Sequence, residues 1–283
     1  MSNGRSRFNL DSRAARILAP AIFAIIVLAV WQLYTVVSDV PESSLPSPTE
    51  IAKAGWEQRQ LLLDNTWVTV EEILIGFAAA IVLGVVLAML IRSSRTIERA
   101  LYPWLVVSQM VPIPAVAPIF VIWTGFDLRP KIMVIALVAF FPIAVNTIDG
   151  LRAADPQLLR LMRTLKASRW QRFRYAQLPA SLPFLFSGLK VAAALSVIGA
   201  VFAEWVGASE GLGYLILVLN NATETATMFA TIFLLAMIGI ALFGLVLLLE
   251  RLLLPWYHDA RKEPADDGVA EPADDAVEIG ARL

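Results

Sequence analysis

The strongest constraint on this chain is a series of apolar stretches, each long enough to cross a lipid bilayer. The first runs from Ile17 to Val37 without a charged side chain. Because an α-helix rises ~1.5 Å per residue, about 20 such residues span the hydrocarbon core. Five more stretches follow, at about residues 68–91, 104–124, 132–148, 184–202 and 228–249. We therefore predict an all-α membrane protein with six transmembrane helices.

The composition agrees with this class and narrows the chemistry that the chain can perform. Hydrophobic residues make up 58% of the 283 residues and charged residues 17%, which lies outside the usual range of soluble domains. The chain has no cysteine, and its single histidine, His258, adjoins an acidic C-terminal segment. We therefore expect no disulfide, no catalytic residue, no metal site, no bound cofactor and no nucleic-acid partner.

Basic residues are distributed unevenly among the loops between the predicted spans. With a cytoplasmic N-terminus, 18 of the 23 lysines and arginines fall on the cytoplasmic side and four on the outer side. Because basic residues concentrate in cytoplasmic loops, both termini are predicted to be cytoplasmic. The predicted organisation is a cytoplasmic N-terminus over residues 1–16, a transmembrane domain over 17–258, and a disordered acidic cytoplasmic tail over 259–283.

The predicted second and third spans both carry residues that are unusual inside a membrane. Glu71 and Glu72 lie near the outer end of the second span, where they are interpreted as the start of a helix at the membrane surface.

The third span contains three prolines, each of which removes a backbone donor, so we expect this helix to be kinked or broken. Broken backbone at membrane depth needs a protein or water-filled surrounding, which favours the bundle interior. A purely structural kink is the alternative. The prolines are Pro112, Pro114 and Pro118.

A polar segment over residues 38–65 is predicted to lie outside the membrane and to contain a short helix. The sequence Ser47-Pro48-Thr49-Glu50 has an N-cap serine, a first-turn proline and a glutamate that can complete a capping box.

A basic, amphipathic loop over residues 152–183 interrupts the apolar sequence. Asp155-Pro156 is typical of a helix start, and apolar residues then recur at three- and four-residue spacing. A second helical stretch, 168–177, places Trp170 and Phe173 among arginines. Such a surface suits either anionic lipid or the groove of a soluble partner, and composition does not separate them. The apolar residues of the first helix are Leu158, Leu161, Met162 and Leu165.

Several segments resemble ABC importer permeases of the nitrate, sulfonate and taurine type. That family has a cytoplasmic loop with the pattern Glu-Ala-Ala, three residues, Gly, nine residues, an aliphatic residue, one residue, Leu-Pro. Here Leu178-Pro179 and Ala176 fit the spacing, whereas Lys166 stands at the glycine position and Arg160-Leu161-Met162 replaces Glu-Ala-Ala. The matching segments are LPSPTEI from Leu45, AFFPIAVNTIDGLR from Ala139, TLKASRWQRF from Thr164, GLKVA from Gly188 and GASEGLGYLI from Gly207.

The resemblance implies a type I ABC importer permease in the bacterial inner membrane, with a coupling helix in the 152–183 loop. It implies a cytoplasmic ABC ATPase dimer, an extracytoplasmic substrate-binding protein, a second permease copy and membrane lipid as partners. ATP is then consumed by the ATPase, since this chain has no phosphate-binding Gly-x-x-x-x-Gly-Lys-Ser/Thr loop. The predicted ATPase contacts are Leu161, Leu165, Lys166, Ala167, Ser168, Trp170 and Phe173.

Lys166 is the main departure from the family pattern. If the family glycine has a left-handed backbone, a lysine there costs on the order of 1 kcal/mol, or else the turn differs.

Polar or aromatic groups within the spans are candidates for the substrate pathway. Gln109 precedes the proline-rich segment and could hydrogen-bond a heteroaromatic ring, and Trp123 could stack on one. Asn146 and Glu204 are the other candidates. For Trp123 a membrane-surface role is the alternative, and for Asn146 and Glu204 a structural one. Lys190, in the fifth span, is interpreted as reaching the surface or pairing with a carbonyl.

Within the family, the residues around Ser108-Gln109, Trp123-Thr124-Gly125-Phe126 and Glu204-Trp205 resemble importers of thiamine-precursor pyrimidines or riboflavin. A sulfonate, taurine or nitrate importer is the alternative. An ion-coupled secondary transporter would need carboxylates near the midplane and two related halves, and neither is found. An intramembrane enzyme is disfavoured because the chain has no cysteine, its single histidine lies outside the predicted spans, and carboxylates within the spans are scarce, although serine-based chemistry is left open.

Overall fold

The computed structural model describes residues 13–38 and 40–259, and every regular element in that part of the chain is a helix. Residues 1–12 and 260–283 are not described, so the predictions for them stay predictions. The α-helices are α1 (Arg13–Val37), α2 (Pro48–Glu57), α3 (Arg59–Ser93), α4 (Arg95–Val107), α5 (Ile113–Thr124), α6 (Leu128–Arg152), α7 (Pro156–Thr164), α8 (Arg169–Arg172), α9 (Leu178–Gly207), α10 (Leu212–Asn221), α11 (Thr225–Leu253) and α12 (Pro255–Asp259). A 3₁₀ turn at Ser108–Met110 follows α4, and a π-helical turn at Phe173–Gln177 joins α8 to α9.

The prediction of six apolar spans is confirmed when one bent pair of helices is counted as a single span. Within residues 13–38 and 40–259, five helical segments are each long and apolar enough to cross a membrane, and the bent pair is the sixth candidate. The five segments are Leu18–Val37, Arg59–Ser93, Leu128–Arg152, Arg169–Gly207 and Thr225–Leu253, and the pair is Arg95–Met110 with Ile113–Thr124.

Some helices extend well beyond the apolar stretches that predicted them. Helix α3 begins at Arg59, before the predicted span start at about Val68. Hydropathy marks only the part of a helix that meets lipid, whereas backbone hydrogen bonding continues through polar residues. The expectation that Glu72 starts this helix at the surface is therefore wrong. Its side chain is buried in the middle of α3 and pairs with Lys131 of α6.

The predicted break in the third span is confirmed. The helical axis bends by 100° between Met110 and Ile113. Val111 has an extended backbone, with φ −78° and ψ 120°, and Pro112 caps the next helix. Proline has no N–H to continue the helical ladder, which explains why α4 and α5 separate here. Helix α5 then packs against α6 and α9.

Helices α3, α6 and α9 form the centre of the bundle. The contact of Gly188 with Pro142 and of Gly199 with Ile135 shows that α6 and α9 run antiparallel. A Cβ at Gly188 would lie 2.6 Å from the carbonyl oxygen of Pro142, so only glycine permits this approach. Close backbone packing through small residues is the usual way in which membrane helices associate, and it holds α6 against α9 here.

The helix directions place the ends of several elements together. We call the end of the bundle that holds Ser93, Arg152 and Leu253 the loop end, and the opposite end the far end. Lys190 of α9 donates a 2.8 Å hydrogen bond to Glu250 of α11, which brings the first half of α9 beside the last turn of α11. From the sequence, Lys190 is expected to reach the membrane surface or to pair with a carbonyl. In the structure it pairs with a carboxylate instead.

Helix α2 lies at the far end and begins with the predicted capping box. The Ser47 hydroxyl accepts from the Glu50 N–H, and the Ser47 N–H donates to the Glu50 carboxylate at 2.6 Å. This backbone donor, followed by the Ser47 hydroxyl, lowers the pKa of Glu50 below its usual value. The Gln32 amide of α1 bonds Thr49 twice at 3.2 Å, which ties α1 to α2.

Candidate functional site

The loop between α6 and α9 carries the short helix that the sequence predicted. Asp155 caps α7 by accepting a 2.7 Å hydrogen bond from the Gln157 N–H, and Pro156 occupies the first helical position, where a missing N–H has no cost. A helix of nine residues is not stable alone in water, so α7 depends on its attachments to the bundle and on any partner.

Lys166 has the left-handed backbone that the glycine position implied. Its φ is +57°, and it ends α7 in a Schellman motif. The Ala167 N–H donates to the Met162 carbonyl and the Lys166 N–H donates to the Arg163 carbonyl, each at 2.9 Å. Lysine therefore occupies a conformation that glycine adopts more readily.

Replacing Lys166 with glycine should stabilise the protein by about 1 kcal/mol, because the backbone already has the glycine conformation. A rise of about 2 °C in the melting temperature of the purified full chain is expected. Thr223 is the matched control, because it ends α10 with φ +58° in the same type of turn at the far end. Thr223→Gly should give a similar rise. A lower melting temperature for Lys166→Gly would show that the lysine side chain stabilises the turn.

Helix α7 presents a bare apolar surface to the outside. Leu161 is 56% exposed and Leu165 73% exposed, and Leu158 also lies open. Met162, which the sequence grouped with them, is half-buried. Exposed apolar residues grouped on one side of a helix are typical of a surface that binds another molecule. Leu161, Leu165 and the turn at Lys166 therefore form one continuous exposed surface, which we call the α7 surface.

The second stretch of the loop differs from the prediction in its ending. Ser168 caps α8 in a capping box with Gln171, but the helix has only one turn and passes through the π-helical turn straight into α9. Leu178-Pro179 is thus the start of a long helix rather than the end of a short one, which proline permits in a first turn. Ser168 is exposed and Ala167 half-buried.

Trp170 and Phe173 lie apart from the α7 surface. Their ring centroids are 5.6 Å apart, and both rings line a groove of about 320 Å³. Met89 and Leu151 complete its apolar wall. The seven residues predicted to contact the ATPase therefore fall into two groups, one on the α7 surface and the adjoining turn and one on this groove.

A larger cavity of about 1220 Å³ lies at the loop end, between α4 and the loop. We call it the arginine cavity, since seven arginines and a single carboxylate, Glu98, line it. Glu98 pairs with Arg92 at 2.8 Å and also with Arg152. The arginines are Arg92, Arg95, Arg99, Arg152, Arg163, Arg169 and Arg172.

The residues predicted to line a substrate pathway lie on separate elements. Gln109 is exposed in the 3₁₀ turn before the break, and Trp123 is exposed at the end of α5. Asn146 is half-buried and donates a 2.8 Å hydrogen bond to the Pro142 carbonyl in its own helix. This hydrogen bond supports the structural role that the sequence left open for Asn146. The amide of Gln109, in contrast, has no hydrogen-bond partner in the described chain.

Glu204 is 1% exposed, so its carboxylate is not accessible from the membrane surface. The turn before α10 folds back over its carboxylate. The Gly213 N–H donates to it at 2.5 Å, the Tyr214 N–H at 3.1 Å and the Thr69 hydroxyl at 2.7 Å. Gly211, with φ +114°, permits this turn, and a Cβ there would collide with the carboxylate. Glu204 thus anchors the α9–α10 turn to α3.

Sequence reasoning missed the partners in these buried polar contacts. Thr69 bridges Glu204 and the Leu212 N–H, Glu72 pairs with Lys131, and Glu250 pairs with Lys190. The only signal in the sequence was that each charged residue falls within or next to a predicted span, where a charge needs a partner.

Comparison with known proteins decides the family. The family described as "binding-protein-dependent transport system inner membrane component" matches residues 80–255, which is more than half of the chain. The chain belongs to this family. As the resemblance implied, it is an ABC importer permease.

Individual relatives of this permease differ in the transport that their names describe. It is 38% identical to the formylaminopyrimidine transport permease protein ThiX of Halalkalibacterium halodurans over 86% of this chain and 98% of that one. It is 36% identical to the riboflavin transport system permease protein RibX of Chloroflexus aurantiacus, over 82% and 87%. The putative aliphatic sulfonates transport permease protein SsuC of Bacillus subtilis is 33% identical, over 85% and 86%.

A solved structure shows the same fold. The permease matches a chain in the crystal structure of an amino acid ABC transporter with histidines, with a TM-score of 0.56 and 16% identity. The match covers 69% of this chain and 95% of that chain. The predicted fold class is thereby confirmed.

Proposed function

We propose that this permease is the non-catalytic, membrane-spanning subunit of an ATP-driven importer for a small organic nutrient, coupled to a separate ATPase through the α7 surface. The observation that carries the proposal is the exposed apolar α7 surface. It lies at the end of a short capped helix, in a chain that belongs to this family. Exposed leucines next to basic side chains suit insertion into a groove of a soluble protein. ATPase closure would then move α7, and with it α6 and α9, between which the loop is held.

The proposal includes an orientation and a set of partners. The loop end carries the arginine cavity, and this concentration of basic residues supports a cytoplasmic location for the loop end in a bacterial inner membrane. The far end, with α2 and α10, then receives substrate from a binding protein outside the membrane. Two copies of the permease are needed, because one set of six spans forms only half of a pathway. The ATPase dimer then supplies one ATP-binding subunit for each permease copy.

For the substrate we propose a pyrimidine thiamine precursor or riboflavin. Support comes from the named transport of two relatives at 38% and 36% identity, and from the exposed amide of Gln109, which could hydrogen-bond a heteroaromatic ring. A sulfonate, nitrate or taurine importer is the second candidate, because permeases with these names also match.

Uptake by reconstituted vesicles tests this function. Vesicles that contain the full chain, its ATPase and its binding protein should accumulate labelled substrate when ATP is supplied on the ATPase side. Collapse of the proton gradient should leave the rate unchanged. Uptake that follows the proton gradient and ignores ATP would contradict the proposal and favour an ion-coupled transporter.

Replacing Gln109 with alanine should lower uptake in these vesicles about tenfold, because one hydrogen bond to the substrate would be lost. Co-purification of the ATPase should be unchanged, since Gln109 lies on a different element from the α7 surface. Gln60→Ala, an exposed glutamine in the first turn of α3, is the matched control. Normal uptake by Gln109→Ala would remove this residue from the pathway.

A further inference from the structure

The arginine cavity has far more positive charge than the protein around it balances. Among the described residues Glu98 is its only carboxylate, and it is shared by Arg92 and Arg152. No carboxylate of the described chain lies within ion-pair distance of the other five arginines, so their charges are not balanced by that part of the protein. The cavity is therefore strongly positive and attracts anions. The five are Arg95, Arg99, Arg163, Arg169 and Arg172.

In two of the guanidinium groups one donor atom lacks a hydrogen-bond acceptor. The Nε atoms of Arg92 and Arg172 are buried and have no partner in the described chain. Burying a donor of this kind is unfavourable unless an acceptor is supplied. Arginine binds phosphate especially well, because its planar fork donates two parallel hydrogen bonds to two oxygens. Both the charge and the unsatisfied donors therefore point to a phosphate group.

The apolar groove lined by Trp170 and Phe173 distinguishes a lipid from a free phosphate. This groove adjoins the arginine cavity, and the two share Arg92, Ser93, Arg169 and Gln177 in their walls. Met89 and Leu151, which also line the groove, lie near the ends of α3 and α6. The pair of sites thus offers an anion-binding cavity beside an apolar channel, which fits a headgroup and the start of an acyl chain.

The position along the helices agrees with this chemistry. Arg92 lies in the last turn of α3 and Arg152 is the last residue of α6, so the cavity begins where two membrane-spanning helices end. Lipid phosphates lie at that depth, and basic pockets between membrane helices are typical headgroup sites.

We propose that the arginine cavity and the adjoining groove bind one anionic phospholipid, with its phosphate among the arginines and an acyl chain against Met89, Leu151 and Phe173. The lipid would join α4 to the α7–α8 loop, so that the loop is held by a component of the membrane as well as by the protein. This site is separate from the α7 surface and from Gln109.

Titration of the full chain in detergent with fluorescent dioleoylphosphatidylglycerol tests the proposal. Phosphatidylglycerol should bind saturably and dioleoylphosphatidylcholine should not compete. The double variant Arg95→Gln/Arg99→Gln removes two exposed cavity charges and should weaken binding roughly thirtyfold, at about 1 kcal/mol for each charge. Arg59→Gln/Arg129→Gln, which removes two exposed arginines at the far end, is the control and should bind like the wild type. Equal binding of both lipids to the wild type, or equal binding by both double variants, would overturn the site.

Two further arms identify the source of the anion. Glycerol 1-phosphate has a phosphate but no acyl chain, and it should compete only weakly with phosphatidylglycerol. Competition as strong as that of the lipid would overturn the lipid assignment in favour of a free phosphate.

A variant in which the seven carboxylates after residue 262 are amides should bind phosphatidylglycerol with wild-type affinity. A tenfold gain in affinity would show that the acidic tail fills the cavity, and would also overturn the assignment.

Discussion

Replacing Leu165 with aspartate should abolish co-purification of the ATPase and the ATP hydrolysis that the permease stimulates. Leu165 is the most exposed leucine of the α7 surface and ends the helix at its C-cap. An aspartate would carry a charge into the groove of the partner without a matching base. Truncation of a central interface residue costs about 3 kcal/mol, and the complex should therefore weaken at least a hundredfold.

The control for this substitution is Thr164→Asp, which adds the same charge one residue earlier. Thr164 is exposed, and its hydroxyl only donates to the Arg160 carbonyl of its own helix. This variant should retain most of the complex, since no apolar contact is lost. The α7 surface is not the docking site if Leu165→Asp and Thr164→Asp bind the ATPase equally well.

Replacing Glu204 with alanine should destabilise the permease by about 3 kcal/mol or more. The Gly213 and Tyr214 N–H groups and the Thr69 hydroxyl would all lose their acceptor inside the protein. At roughly 2 °C for each kcal/mol, the melting temperature should fall by about 6 °C. Glu210→Ala, which removes an exposed carboxylate from the same turn, should leave the melting temperature unchanged.

Glu204→Gln separates the structural role of this carboxylate from a role in substrate binding. The glutamine carbonyl can still accept from the Gly213 and Tyr214 N–H groups, so the variant should stay close to wild type in both stability and uptake. A stable Glu204→Gln variant that has lost uptake would show instead that the charge of Glu204 acts on the substrate.

The sequence predicted those helix starts and breaks that are determined by residues within one turn of the backbone. The prolines around Pro112 predicted the break, Asp155-Pro156 predicted α7, and Ser47 with Glu50 predicted the start of α2, because each of these residues acts on the backbone within one turn. Apolar length likewise predicted the number of spans.

Contacts between distant parts of the chain could not be predicted in this way. Glu72 and Lys131 are 59 residues apart, and the sequence alone placed both near the outer ends of helices. Burial of Glu204 depends on a turn that only Gly211 permits and on a hydroxyl from another helix. The arginine cavity was visible as a set of basic residues, but only the packing of α4 against α3 and the position of the loop bring them to one cavity.

A single introduced cysteine tests the coupling function and the orientation together. The chain has no natural cysteine, so a membrane-impermeant maleimide would report Leu165→Cys alone. In intact cells the maleimide should not label Leu165→Cys, whereas it should label Lys53→Cys on α2 at the far end. In inside-out vesicles stripped of the ATPase, Leu165→Cys should react rapidly, and adding the ATPase back should protect it. Labelling of Leu165→Cys from outside intact cells, or equal labelling with and without the ATPase, would contradict a cytoplasmic coupling helix.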